Sequence, residues 1–231
     1  MKDFFQLFLV EPFTTAIHGI AIFFNGNFGL SIILLTLVIR ILLLPLMFKQ
    51  YKNQQVMKGK MESLKPEMTE LQTKIKNAKN PDVQKQLQQE MMGLYKKHGV
   101  NPLSMGCLPM LIQMPILMGF YYAIRGSEEI ASHSFLWFNL GQPDIWITAA
   151  AGIVYYFQFK VTQVHLPEEQ QMQMKFMGLI SPIMIVFFSI SAPAALPLYW
   201  TVGGIFLILQ TMLSRKIYQP RSINIVQVEK T

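Results

Sequence analysis

One arginine, Arg40, stands inside an apolar run that extends from Phe28 to Phe48. It is about 12 residues from one end of the run and 8 from the other, or ~18 Å and ~12 Å along a helix. A guanidinium cannot shed its proton, so the charge persists wherever the side chain is placed. In the centre of a membrane helix it costs at least ~2.5 kcal/mol, which demands compensation. The apolar runs contain no internal Asp or Glu, and the nearest candidate partner, Asp144, falls at the mouth of a later run. Water is then the remaining solution: a hydrated cavity lined by Thr36, one turn before Arg40, and by Gln113, Gln158, Trp200, Thr201 and Gln210. A fixed cation without a fixed anion attracts a mobile carboxylate. The plainer readings are an arginine that reaches lipid phosphate and glutamines that bond neighbouring helices.

No other chemistry competes. The one cysteine, Cys107, reads as a buried, inert thiol. His18, His98, His133 and His165 are dispersed outside the apolar runs, which points to no metal site. No nucleophile–base pair or ligand set lies within the runs, so no catalytic residue, metal or cofactor is expected.

The elements that must hold these residues follow from composition. The chain has 231 residues, 52% hydrophobic and 14% charged, against about 25% charged in soluble domains. Eleven of its 20 Lys and Arg fall between Lys49 and Lys97. This predicts an all-α integral membrane protein with five spans, at 28–48, 107–124, 144–159, 176–191 and 194–214. The stretch 1–27 lacks a basic leader and a small-residue cleavage site, and is expected to form an interfacial amphipathic helix. Small residues Ala149–Gly152 suit close packing of the third span. Segment 49–106 carries eleven lysines and five acids and segment 215–231 is also net positive, whereas 1–27 and 126–143 are net negative. The positive-inside rule therefore predicts an N-terminus outside, a C-terminus inside, an extracellular loop at 125–143 and cytoplasmic segments at 49–106, 160–175 and 215–231.

Segment 49–106 has its own periodicity. Met57, Met61, Leu64, Met68, Leu71 and Ile75 follow a coiled-coil spacing, and Val83, Leu87, Met91 and Leu94 continue a stripe after the break at Asn80–Pro81. Two antiparallel helices, about 52–77 and 82–97, are predicted, ended by Gly99 and Pro102. Pro66 predicts a kink or a late start in the first. The methionine seam either holds the helices together or offers a surface to other segments. Its lysines would attract anionic lipid in either case.

The run Gly106-Cys-Leu-Pro-Met-Leu-Ile-Gln-Met-Pro115, preceded by His98-Gly-Val-Asn-Pro102, resembles the second-span signature of the YidC/Oxa/Alb membrane protein insertases. Ala195-Leu-Pro-Leu-Tyr-Trp200 with Gln210 resembles that family's last span. Thr36 and Arg40 match its first-span polar pair, and Tyr155-Tyr-Phe-Gln158 its third-span motif. The resemblance runs from about residue 11 to 216 and is to the compact Gram-positive form. Such forms typically begin as lipoproteins, and no lipid-accepting cysteine stands near Met1. Gly203-Gly204 replaces a polar position of the last span. The resemblance implies insertion and folding of newly made membrane proteins in the bacterial cell membrane, with Tyr155 added to the substrate-binding residues. Sec translocase and ribosome are further candidate partners, although the short tail after Arg215 offers no long basic arm. No sequence-specific nucleic acid binding is implied. The alternative is a small anion channel or transporter with Arg40 as its selectivity charge.

Overall fold

A computed structural model describes residues 5–78, 80–99, 107–163 and 168–218. A π-type turn, Gln6–Val10, leads into α1 (Glu11–Phe23). The other helices are α2 (Phe28–Asn77), α3 (Pro81–Lys97), α4 (Cys107–Gly126), the short α5 (Glu128–Ser132), α6 (Ile145–Gln163), α7 (Glu168–Ser189) and α8 (Ala195–Tyr218). Between α5 and α6, β1 (Ser134–Phe135) and β2 (Phe138–Asn139) pair antiparallel, Ser134 opposite Asn139 and Phe135 opposite Phe138.

Among the described residues, three helical stretches are long and apolar enough to cross a membrane: Gln6–Phe23, Phe28–Met57 and Ala195–Tyr218. The second and third cover the first and last expected spans. The first covers the segment read from sequence as interfacial; its 18 residues reach about 27 Å. Helices α4, α6 and α7 cover the three other expected spans.

The chain divides into two compact units, residues Met1–Pro45 with Gln113–Ile217, and Leu46–Ile112 with Tyr218–Thr231. In the first, the core gathers Ile17 of α1, Ile32 of α2, Phe120 and Ile124 of α4, Leu140 of the loop, Ala151 of α6, and Leu198, Tyr199 and Trp200 of α8. Glycines set how closely these helices approach, as expected where lipid supplies no hydrophobic drive between them. An added Cβ at Gly119 would lie 2.4 Å from the Phe13 ring, at Gly152 2.5 Å from Val186, and at Gly178 1.9 Å from Phe159. The last two pairs run in opposite chain directions, so α6 and α7 pack antiparallel. Asn27 caps α2, its side-chain oxygen accepting the Leu30 N–H at 3.0 Å.

In the second unit, Leu64 and Met68 are buried against Met57, Leu94 and Tyr95. These two methionines of the seam are thus spent on holding the helices together. Near the turn between the two helices, the Gln84 side-chain amide donates to the Ala78 carbonyl at 2.9 Å. Asn80 caps α3 by accepting the Asp82 N–H at 2.9 Å, and Gly99 ends it with a left-handed φ of 62°. The late helix start expected at Pro66 does not occur, because α2 is helical from Phe28 onward. Pro66 is exposed, so the carbonyl it deprives of a partner can be hydrated. Glu70 and Lys74, one turn apart and 2.7 Å from each other, reinforce this stretch. Their pairing holds the Glu70 carboxyl below its ordinary pKa and the Lys74 ammonium above its own.

Candidate functional site

Arg40 enters the first unit from α2. One turn earlier, Thr36 is buried and donates its hydroxyl to the Ile32 carbonyl at 2.6 Å, so its polar group is satisfied within its own helix. Arg40 itself is half-buried. Its Nη2 donates to Gln113 Oε1 of α4 at 3.3 Å, across 73 residues of sequence. Gln113 Nε2 in turn donates to the Tyr199 hydroxyl of α8. Three helices are therefore joined by one polar chain, guanidinium to amide to phenol.

Gly203 lies four residues after Tyr199, on the same face of α8. A Cβ there would sit 2.9 Å from Arg40 Nη2, 3.4 Å from Nε and 3.6 Å from Cζ. The bare backbone makes room for the guanidinium. The next residue, Gly204, admits α6: its Cβ would meet Val154 at 2.6 Å and the Tyr155 ring at 3.2 Å.

The geometry leaves the cation oriented but not neutralised. Among the described residues, Gln113 is its one hydrogen-bond partner and no carboxylate pairs with it. A guanidinium has five N–H donors, and Nη2 is the one engaged by a side chain among the described residues. Asp144, the carboxylate at the mouth of the third expected span, is engaged elsewhere. Its Oδ1 caps α6 by accepting the Trp146 and Ile147 N–H groups at 3.0 and 2.9 Å.

The other expected lining residues are placed as follows. Trp200 is buried in the core. Thr201 donates its hydroxyl to the Pro197 carbonyl at 2.7 Å. Gln158 is half-buried one turn after Tyr155, and its carbonyl accepts the Thr162 hydroxyl. Gln210, also half-buried, is two turns beyond Gly203 on a shared face, ~10 Å along the axis. Sequence reasoning missed Tyr199 and Gly203. The signal for the first was its hydroxyl beside Trp200, and for the second the four-residue spacing that puts a gap over the phenol. Among the described residues no cluster of three or more His, Cys, Asp or Glu could hold a metal.

The Tyr199 link is testable. Tyr199→Phe deprives the Gln113 amide of its acceptor, and such interhelical bonds contribute about 1 kcal/mol in membranes. We expect a correspondingly lower unfolding free energy in detergent. In combination with Gln113→Ala, the second change should add little; full additivity would show that the two residues are not linked.

The family model described as 60Kd inner membrane protein matches residues 20–221. The chain is 51% identical to membrane protein insertase YidC 2 of Listeria monocytogenes over 227 residues, covering 98% of this chain and 82% of that one. It is 49% identical to membrane protein insertase MisCB of Bacillus subtilis, covering 91% and 79%. A crystal structure of an active YidC insertase with its first transmembrane domain resolved superposes with a TM-score of 0.58 at 26% identity. It matches 85% of this chain, which spans 45% of that one.

Proposed function

This chain belongs to the 60Kd inner membrane protein family of YidC insertases, and we propose that it inserts client membrane proteins by using Arg40 as an acceptor for acidic residues in the client's translocated flank. The observation that carries this reading is the Arg40 guanidinium held on one edge by Gln113, which is neutral, and left without a carboxylate among the described residues.

The energetics assign the protein a kinetic task. A client span of ~20 apolar residues gains ~0.3–0.6 kcal/mol per residue on insertion, on the order of 10 kcal/mol, while one acid at the bilayer centre costs ~3 kcal/mol. Insertion is downhill once complete; the obstacle is the polar flank on the way. A cation part-way across lowers that obstacle. At 4 Å a carboxylate–guanidinium pair is worth ~1 kcal/mol in water and ~4 kcal/mol at a protein surface, so a groove open to the cytosol keeps the client's stay short. Residues of α8 are buried continuously from Ala195 to Trp200, whereas Ile205, Leu209, Met212 and Leu213 are exposed, an apolar face suited to a client's exit into lipid.

In this reading the chain has five spans with the N-terminus outside. The basic segment 49–106 and the tail face the cytoplasm. Thr36, Gln113, Tyr155, Gln158, Trp200, Thr201 and Gln210 line or border the client's path, whose apolar segment leaves into lipid along α6 and α8. Clients are newly made membrane proteins.

Purified protein in liposomes tests the reading. A single-span client with an acidic flank should become protease-protected several-fold faster than in empty liposomes, and a client with a neutral flank should gain less. Equal rates with and without the protein would overturn the proposal. So would chloride flux in the absence of client with no insertion, the behaviour of an anion channel.

A further inference from the structure

We propose that the tip of the β1–β2 loop, Leu136–Trp137, is a membrane anchor. It rests in the boundary between headgroups and acyl chains of the leaflet where α2 and α8 begin, the outer leaflet in the orientation above. The proposal needs only an integral membrane protein and is independent of the role given to Arg40.

The sequence at the tip is Ser134-Phe-Leu-Trp-Phe-Asn139. Phe135 and Phe138 pair across the two strands and are buried together. That leaves a two-residue turn. Leu136 has φ +55°, and Trp137 is not in the left-handed region. This is the pattern of a type II′ turn, whose first position glycine usually takes. Here the position holds a leucine that is 72% exposed, followed by a tryptophan that is 61% exposed. In water the tip would be unfavourable twice over, through a backbone that a branched side chain rarely adopts and through two large apolar side chains. A glycine or asparagine would remove both penalties. At a membrane interface the exposed side chains become the favourable part.

The depth of the tip is set by its ties to two spans. The Ala194 and Ala195 N–H groups donate to the Gln142 and Leu140 carbonyls at 2.9 and 3.0 Å, joining the loop to the start of α8. The Phe135 ring fills the space over Gly29, where a Cβ would lie 2.1 Å from it, and the His133 and Phe28 rings are 5.4 Å apart. The loop is therefore held level with the first residues of α2 and α8, both long and apolar enough to span. Ile22 and Phe23 end α1 exposed, and Ile145 and Trp146 open α6 exposed.

Irregular backbone cannot enter the hydrocarbon uncompensated. This loop answers much of its own polarity. Asn139 Nδ2 donates to the Ser132 carbonyl at 2.9 Å, its Oδ1 accepts the Gly141 N–H at 3.0 Å, and Trp137 Nε1 donates to Asp144 at 3.4 Å. An indole with a satisfied polar edge and a bare body is the side chain that settles at membrane interfaces. Residues 126–143 are net negative through Glu128 and Glu129, so attraction to anionic lipid cannot be what holds the tip. The contact is apolar, and salt should not release it.

Depth-resolved fluorescence quenching tests this. The chain has three tryptophans, so Trp146→Phe with Trp200→Phe isolates Trp137. In phosphatidylcholine–phosphatidylglycerol vesicles, bromine placed high on the acyl chain should quench Trp137 more than bromine near the methyl end. Aqueous iodide should quench it at least about threefold less than it quenches a free indole, at low and high salt alike. Leu136→Gly suits the turn but weakens the anchor, and should raise iodide quenching about twofold. Trp200 is a core residue, so a nitroxide at Leu136→Cys, in a Cys107→Ser background with all tryptophans retained, gives a second reading. Collisions with oxygen should there exceed those with a water-soluble nickel chelate. Iodide access equal to that of free indole, or nickel collisions exceeding those of oxygen, would overturn the proposal. So would protection lost on dilution with lipid, which would assign the tip to a second copy of the chain.

Discussion

Replacing Arg40 with alanine should slow insertion of a single-span client with an acidic flank by at least about tenfold, while Arg40→Lys should remain within about fivefold of the parent. The first figure follows from the site. A carboxylate meeting the half-buried guanidinium gains more than the ~1 kcal/mol of water and up to the ~4 kcal/mol of a protein surface, and a value midway, about 2.5 kcal/mol, exceeds the 1.4 kcal/mol that makes a factor of ten. Lysine keeps the charge but loses the planar fork. It can still donate to Gln113 or to a client carboxylate, though not to two oxygens at once. A client whose flank lacks acids should lose far less in Arg40→Ala, and added salt should narrow the difference between the two clients. The measurement is the rate of protease protection in proteoliposomes. Undiminished insertion of the acidic client by Arg40→Ala would sink the mechanism while leaving membership of the insertase family untouched.

Gly203→Leu should cost nearly as much, about tenfold in the same assay, without a loss of stability. The Cβ alone would lie 2.9 Å from Arg40 Nη2, so alanine displaces the end of a flexible side chain by a few tenths of an ångström and should be mild. Leucine fills the space the guanidinium occupies and drives it from Gln113. Replacing a glycine inside α8 removes a helix penalty of about 1 kcal/mol, so the thermal midpoint in detergent should hold or rise. Gly204→Ala is the contrast. Its Cβ meets Val154 at 2.6 Å and Tyr155 at 3.2 Å, so it strains the packing of α6 on α8 and should lower the midpoint by more than it lowers activity. If Gly203→Leu inserts clients at the parental rate, the placement of the guanidinium over that glycine is immaterial to function.

These expectations rest on features that differ in how far they could be seen beforehand. Hydropathy and charge are local properties, so helices over the expected spans, the basic stretch from Lys49 to Lys97 and the family signatures around Gln113, Tyr155 and Trp200 were open to reading residue by residue. The break at Asn80–Pro81 and the stop at Gly99 were equally legible, because cap chemistry acts within one turn. The reach of α2 through Pro66 was not, because a proline's cost depends on whether its freed carbonyl is exposed.

The site divides in the same way. That Arg40 is a cation inside an apolar run without an acid of its own is a fact of the sequence, fixed by residue type and distance from the ends of the run. Which groups meet it is a tertiary fact: Gln113, 73 residues away, Tyr199 behind it, and Gly203 beneath. The physical reason is that a membrane helix is apolar on nearly all sides, so hydrophobic periodicity says little about its rotation. Close packing through glycines decides it instead, and only the assembled helices reveal which glycine faces which side chain.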